Sequence, residues 1–450
     1  VSEAAWIGSG VALAALWLPG AALLLRSLAK TLPLADFLAL HEAQSSAAPS
    51  TSAAFAGSAA PVSPTTNAAP ARVLAAEAPT ATPGLSVVIT ACDEEEEIEA
   101  AVGSFLAQRA LAYELVVVND RSRDRTGEIL DRLAATPAAA GRLVVVHNRD
   151  LPPGRLGKCH ACALGAERAR GAWILFADGD VRLGAPDLLA RVLRAAERAR
   201  LDHLAVLPDL RPQSALAEAV TTAFGGLFLL GVRAYESDRD APRGGGGVGA
   251  FNLVRRAAYE RIGGHRLLLM DVADDYKLGR LLKESGARQR MFFGRDLVLC
   301  RWQKGAAAVV RGLEKNFFGG CDYSLTKALG AAIVLAAVGF GPLVLLVAAW
   351  AAGVFPGPDR AAAAAALPAI VHALVAVTAY LAFGARTGAR FGAVLLGPAG
   401  FAFVLAALAN STWRVLRRGG VVWRGTFYPL AELRRGLVPV GAGRKFRPAP

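Results

Sequence analysis

Trp173-Ile174-Leu175-Phe176-Ala177-Asp178-Gly179-Asp180-Val181 is an apolar run that ends on two carboxylates one residue apart. Side chains alternate faces along a strand, so Asp178 and Asp180 project to the same side at its carboxyl end. Two carboxylates held that close repel each other unless a positive group lies between them. A hard divalent cation, bound through one or two carboxylates and phosphate oxygens, supplies that charge. The plainer reading is an acidic turn that caps the next helix. What surrounds the pair decides between them.

Outward from this run, short apolar stretches alternate with helix-like ones. Leu85–Thr90, Leu115–Val118, Leu143–Val146 and Trp173–Ala177 read as strands, and Ile98–Gln108, Gly127–Ala134, Cys159–Arg170 and Pro186–Arg200 as helices. The alternation predicts an α/β domain with a mostly parallel sheet and right-handed crossovers. Ligands of such sheets bind beyond the carboxyl ends of the strands. Asp93-Glu94 follows the first strand, Asp120 and Asp124 the second, and Asp178 and Asp180 the fourth. A further pair, Asp274-Asp275, opens the helical run Tyr276–Glu284. Helix capping accounts for part of this usage, but not for all four clusters at such positions.

The 450 residues are 54% hydrophobic, but unevenly so. Trp6–Leu25, Ala331–Phe355, Ala361–Phe383 and Phe391–Ala409 each approach the ~20 apolar residues that cross a bilayer core. The last is the weakest, with Gly397, Pro398 and Gly400 inside it. This predicts an N-terminal transmembrane anchor (1–30), an Ala/Ser/Pro-rich, mostly disordered linker (31–84) and the α/β domain (85–300). An amphipathic interfacial segment (301–330), a C-terminal transmembrane region (331–411) and a basic tail (412–450) follow. Ser2-Glu3 before the first span and Arg26 and Lys30 after it suit a retained anchor with the domain on the cytoplasmic side. The expected location is the cell (inner) membrane, multi-pass.

The net charge of +13 is concentrated near the C-terminus, where Ser411–Pro450 holds nine Lys/Arg against one acidic residue. Basic residues beside membrane segments favour anionic lipid headgroups, and no nucleic-acid motif accompanies them. With the N-terminus outside, three C-terminal spans would put this tail outside, against the positive-inside rule. Two crossings, with Phe391–Ala409 re-entrant or interfacial, keep it in the cytoplasm. Among five cysteines, Cys159-His160-Ala161-Cys162 is the one close pair, and a structural zinc site needs a second. Structural thiols in a reducing compartment are expected.

Ser86–Glu94 resembles the opening strand of family 2 glycosyltransferases, inverting enzymes with a GT-A fold. Val117–Thr126 is similar to that family's nucleotide-binding segment, and Gly157-Lys158 with Ala161 to its G-K-x-x-A helix. Phe176–Val181 matches its D-x-D strand, and Asp274-Asp275 with Leu278 its E-D-x-x-L segment. The resemblance runs from Leu85 to about Asn316. Gly249–His265, Arg301-Trp302, Lys315-Asn316 and Trp423–Pro429 resemble membrane-bound members that glycosylate carotenoid- or hopanoid-type lipids. Three positions depart from the pattern: Asn119 for a first Asp, Asp93 for Asn, and Val298 for the Gln of Q-x-x-R-W. The last weakens the alternative of a processive polysaccharide synthase. A second alternative is an inactive membrane scaffold or lipid-binding protein, against which the intact carboxylates stand.

The resemblance implies transfer of a hexose from a nucleotide-diphosphate sugar, with UDP the expected nucleotide, to a lipid acceptor. On it, Asp120 hydrogen-bonds the base, Glu94 shapes the nucleotide pocket, and Asp178 with Gly179 faces the ribose or sugar. Asp180 holds Mg²⁺ or Mn²⁺, and Asp275 is the general base, with Asp274 the runner-up. Lys158 either reaches the nucleotide or is a solvated helix-start lysine. Arg301, Arg311 and Lys315 contact diphosphate or headgroups, and Trp302 contacts the acceptor. His265, alone after a glycine turn, reads as structural.

Overall fold

The computed structural model describes residues 3–46, 83–212, 214–240, 242–300, 306–352, 360–388 and 395–441. The chain begins with α1 (Glu3–Lys30), β1 (Leu32–Pro33) and α2 (Leu34–Ser46). The α/β region follows as β2 (Leu85–Ala91), α3 (Ile98–Leu106), β3 (Tyr113–Asp120), α4 (Thr126–Ala134) and β4 (Leu143–Asn148). It continues with α5 (Gly157–Arg168), β5 (Trp173–Asp178), β6 (Val181–Leu183), α6 (Leu188–Arg198) and β7 (His203–Leu207). Next come α7 (Ala215–Gly231), β8 (Asn252–Arg255), α8 (Arg256–Arg261), α9 (Asp274–Glu284), β9 (Gln289–Phe293) and β10 (Val298–Cys300). The C-terminal part holds α10 (Ala306–Gly320), α11 (Leu325–Ala351), α12 (Arg360–Thr387), α13 (Gly397–Arg418), β11 (Gly420–Trp423), β12 (Thr426–Pro429) and α14 (Leu430–Arg435).

Eight strands form one sheet in the order β1-β9-β7-β8-β5-β2-β3-β4, with β8 antiparallel to both its neighbours and every other pairing parallel. All seven residues of β2 and all eight of β3 are buried, which is why they read as continuous apolar runs. Alternation sorts their side chains into two cores. Val87, Ile89, Leu115, Val117 and Leu175 pack with Phe105, Leu130 and Val192 on one face. Val88, Val116, Val118, Ile174 and Phe176 pack with Ala161, Leu278 and Leu281 on the other. The chain moves outward from β2 to β3 and β4, then returns to the opposite side of β2 as β5. That reversal places a crevice beyond β2 and β5.

The four strands and four helices read in the sequence are present. The strands β7, β8 and β9 have no such signal, since each is four or five residues long and is held by its neighbours. One expectation is corrected at the start of the linker. Leu32 and Pro33 pair in parallel with Phe292 and Phe293, and Leu34, Phe37 and Leu38 of α2 are buried on the sheet. Burial of these large apolar side chains holds Leu32–Ser46 against the domain. Residues 47–82 of that linker lie outside the described ones.

Among the described residues, α13 is the single helix long and apolar enough to cross a bilayer, and the bent pair Gly312–Gly320 and Leu325–Gly341, at 109°, would make a second. The weakest of the four sequence candidates is thus the one that qualifies. Its glycines and proline lie at the start of the helix and do not interrupt it. Pro398 occupies the first turn of α13, where its missing N–H costs nothing, and Gly400 lets the helix cross α7 closely. A Cβ on Gly400 would lie 2.5 Å from the Ala219 carbonyl oxygen. Ile333, Val334, Val344 and Val347 of α11, and Leu367, Ile370 and Leu374 of α12, are exposed.

Within the basic tail, residues 420–438 are folded against the domain, because β11, β12 and α14 have apolar residues to bury: Val421, Trp423, Tyr428 and Leu433 join the core between α10 and α13. Arg414 and Arg418 pair with Glu314 at 3.1 and 3.3 Å. Residues 442–450 lie outside the described ones.

Candidate active site

The carboxyl ends of β2, β3 and β5, the start of α5 and the start of α9 converge on one crevice. Asp178, the last residue of β5, accepts an ion pair from Lys158 of α5 at 2.7 Å. The sequence left Lys158 open between nucleotide contact and a solvated lysine; its side chain is 15% exposed and paired. Burial works against its charge, but Asp178, Asp274 and Asp275 hold its pKa well above the usual lysine value. Gly249, before β8, faces these same groups. A Cβ there would lie 2.7 Å from Asp178 Oδ2, 2.9 Å from Asp275 Oδ2 and 3.0 Å from Lys158 Nζ.

Asp180 follows at the turn into β6. Gly179 between the two carboxylates sits tightly against Thr90 and Glu94, since a Cβ would lie 3.3 Å from the Thr90 carbonyl and 3.4 Å from Glu94 Cγ. Strand β10 pairs with β6 and brings the Cys300 thiol to Asp180, donating to Oδ2 at 3.3 Å. Among the described residues no cation pairs with Asp180. Burial, then the neighbouring Asp178, push its pKa up. Two close carboxylates with hard oxygens and an unmet negative charge fit a divalent cation.

At the head of α9 the two acids differ. Asp274 is 2% exposed and turned inward, with His265 Nε2 3.7 Å from its Oδ2. Burial acts to raise its pKa, but Lys158 and then His265 hold it below the usual range. Asp275 is only half-buried and faces the crevice, accepting from the Gly249 N–H at 2.8 Å and its neighbour Tyr276 N–H at 2.7 Å. Burial raises its pKa; Lys158 opposes this, while Asp274 and Asp178 add to it. His265 Nδ1 lies 3.0 Å from Tyr259 Oη and its ring packs on Phe176. Cys162, His265 and Asp274 are all buried, with one side-chain atom of each within 4.8 Å of the others, and burial pushes the Cys162 thiol pKa up.

At the end of β3, Asp120 is 1% exposed and internally satisfied. Arg121 grips it as a fork, Nε to Oδ1 at 3.0 Å and Nη2 to Oδ2 at 2.9 Å, and Asn148 Nδ2 donates to Oδ1 at 2.7 Å. Asp120 therefore reaches a ligand only together with Arg121. Asn119 points to the other face and meets His147 Nδ1 at 3.1 Å. Gly157 gives this fork room, since a Cβ would lie 2.2 Å from Arg121 Nη2. Glu94, after β2, is half-buried beside Asp180, Asp178 and Asp124. Burial pushes its pKa to about 7 despite Arg424, with those three acids adding to the rise.

Arg424 is the partner that the sequence reading missed, with Nη2 3.1 Å from Glu94 Oε1. The same β11–β12 hairpin sends Thr426 to Arg121 Nη1 at 3.1 Å and Tyr428 Oη to the Gly157 N–H at 3.3 Å. The resemblance of Trp423–Pro429 was a signal that this stretch matters, but 330 residues separate Arg424 from Glu94. Lys315 of α10 stands over the Trp423 ring at 3.8 Å. Burial, then Lys158 and Arg424, bring its pKa down to about 8. Arg301 and Trp302 lie outside the described residues, as does the Arg311 side chain. A cavity of ≈ 300 Å³ lined by Asp93, Arg121, Arg123, Arg149, Arg424 and Thr426 opens beside the Asp120 fork.

Residues 86–263 match the family described as Glycosyl transferase family 2. The 4,4'-diaponeurosporenoate glycosyltransferase of Staphylococcus haemolyticus is 22% identical over 236 residues, 52% of this chain and 61% of that protein. The uncharacterized glycosyltransferase EpsJ of Bacillus subtilis is 32% identical over 120 residues, 27% of this chain and 32% of that one. The chain thus spans less than two thirds of these relatives' length. Among solved structures, the mannosyltransferase PcManGT from Pyrobaculum calidifontis in complex with GDP-Man and Mn²⁺ is 20% identical, covers 72% of this chain and 89% of its own, and has a TM-score of 0.42.

Proposed function

We propose, from the match of residues 86–263 to the family described as Glycosyl transferase family 2, a membrane-bound, metal-dependent, inverting enzyme. It moves a hexose from a UDP-sugar to a lipid acceptor at the cytoplasmic membrane face. The observation that carries the reading is the convergence of Asp178, Asp180, Lys158 and Asp275 on one crevice, at Gly249 and the ends of β2 and β5. A mostly parallel sheet with its carboxylates at those ends is also what a GT-A domain requires.

Each residue then has a task. The Asp120–Arg121 fork reads the base, and Glu94 walls the nucleotide pocket. Asp178, held by Lys158, faces the ribose or sugar. Asp180, with Asp178, would hold Mg²⁺ or Mn²⁺; when bound, such an ion supplies Lewis-acid charge for the departing diphosphate. Asp275 accepts the proton of the acceptor hydroxyl. Its raised pKa and its exposure to the crevice favour it over Asp274, which is buried and occupied by His265. Lys315 adds positive charge at the same crevice.

The staphylococcal relative is named for a carotenoid substrate, which supports a lipid acceptor here. Exposed apolar side chains on α11 and α12, together with the span-length α13, support association with a membrane. The test is incubation of the purified full chain with UDP-glucose, with and without EDTA, followed by mass spectrometry of lipids from cells with and without the gene. A metal-dependent turnover and a hexose-sized mass difference on one lipid species are expected. No turnover with any nucleotide sugar, and no metal-dependent nucleotide binding, would leave the scaffold reading.

A further inference from the structure

The β11–β12 hairpin turns through Arg424 and Gly425, both at positive φ (48° and 75°). A two-residue turn of this kind requires left-handed conformations at both central positions, and Asn or Asp at the first of them relieves the strain. An arginine there pays in backbone energy for what its side chain does. Held in that strained turn, its guanidinium reaches Glu94 at the crevice between β2 and β5, and lines the 300 Å³ cavity beside the Asp120 fork. Three contacts hold the hairpin in place from elsewhere: Thr426 to Arg121, Tyr428 to Gly157, and Trp423 beneath Lys315. Arg424 is therefore not needed to dock the hairpin.

Resting on the family 2 reading, we propose that Arg424 is a donor-binding residue: its guanidinium takes the diphosphate of the nucleotide sugar, and Glu94 holds it ready between turnovers. The chemistry suits it. A guanidinium matches phosphate oxygens as a planar fork, and it keeps its charge beside a partly buried acid. Glu94 meets it through a single contact, Oε1 to Nη2 at 3.1 Å, rather than as a fork, so it is a partner from which a diphosphate can draw the guanidinium. The site is thereby completed by a segment beyond the last span-length helix, which joins the donor pocket to the membrane region through α13.

The experiment uses the purified full chain in lipid nanodiscs with Mn²⁺, and titrates UDP, GDP and uridine. The quantity read is the ratio of uridine to UDP dissociation constants, which isolates the diphosphate. Arg424→Ala is expected to lower that ratio roughly 10- to 100-fold, the worth of a charged hydrogen-bonded contact, with uridine binding within about 2-fold of wild type. Arg424→Lys recovers part of the loss, because it keeps the charge without the fork. Tyr428→Phe, which removes a hairpin contact outside the cavity lining, leaves the ratio unchanged. Equal weakening of uridine and UDP in Arg424→Ala, or a ratio lowered as much by Tyr428→Phe, would make Arg424 a brace and overturn the proposal. So would an unchanged ratio in Arg424→Ala. If wild-type protein binds neither UDP nor GDP, the family 2 donor reading fails and this inference falls with it.

Discussion

The ends of β3 and β5 lie in the same sheet, on either side of β2, and both finish on aspartate; they solve the problem of burying it differently. At β3 the charge is balanced at home: Asp120 has the Arg121 fork and Asn148, and is fully used. At β5 the books stay open. Asp178 has Lys158, whereas Asp180 accepts from the Cys300 thiol and pairs with no cation among the described residues, and Asp178 beside it adds negative charge. A self-neutralised acid shapes a pocket, whereas an acid left short of charge waits for a cation. On the proposed reading, the contrast puts recognition beside β3 and charge stabilisation beside β5.

Removing the unbalanced acid tests that division most severely. Asp180→Ala is expected to cut transfer by a factor on the order of 100 or more, by loss of the electrostatic support of the leaving group. The thermal midpoint stays near that of wild type, because no core residue is touched. Activity within a few-fold of wild type would remove Asp180 from the mechanism and blunt the comparison. Asp275→Asn is expected to lower kcat by roughly 100-fold or more, since an amide cannot take the acceptor's proton. Nucleotide affinity is retained; its loss would move Asp275 to the donor site.

The balanced acid has the opposite signature. Asp120→Ala leaves Arg121 without its carboxylate in a largely buried position, and a loss of about 3 kcal/mol of stability is expected from breaking such a pair. Chemical denaturation of the full chain in detergent checks it, alongside weaker UDP binding. A variant as stable as wild type would show that the fork serves the ligand alone.

A buried group far from both strand ends supplies the smallest effect. His203 of β7 is fully buried between Asn252 and Gln289, and burial brings its pKa down to about 4 from 6.5. The folded chain keeps it neutral while the unfolded chain binds a proton below 6.5. Its contribution to stability is therefore complete above pH 6.5 and is lost as pH falls from there toward 4. Between pH 7 and pH 5 the loss is on the order of 2 kcal/mol. His203→Gln should flatten the pH dependence of the melting temperature over that interval. An unchanged slope would assign acid sensitivity to the carboxylates of the crevice instead.

The acids of the site were legible because each follows a local pattern: an apolar strand that ends on Asp or Glu, or a helix that begins on one. That pattern is set by neighbours in sequence, through strand alternation and helix-start chemistry, and it singled out Asp93-Glu94, Asp120, Asp124, Asp178, Asp180 and Asp274-Asp275; the choice of Glu94 and Asp275 within their pairs rested on the family resemblance. The same locality limits it. Nothing near Asp274 and Asp275 in the chain says which one turns inward; His265 and Gly249, brought by two other segments, decide that. Nothing near Pro398 and Gly400 says that they begin a helix and ease its crossing of α7.

Composition and periodicity by themselves thus determined an α/β domain, its strand ends and an apolar C-terminal region, since burial on both faces of a parallel sheet leaves its mark residue by residue. Only the tertiary structure decided how charge is apportioned among those ends. Whether an aspartate is satisfied or left short depends on cations and dipoles delivered from Lys158, Arg424, Cys300 and Lys315. Ion pairing acts through space over a few ångströms, and the chain distance between partners, up to 330 residues for Arg424 and Glu94, leaves no trace in the local sequence.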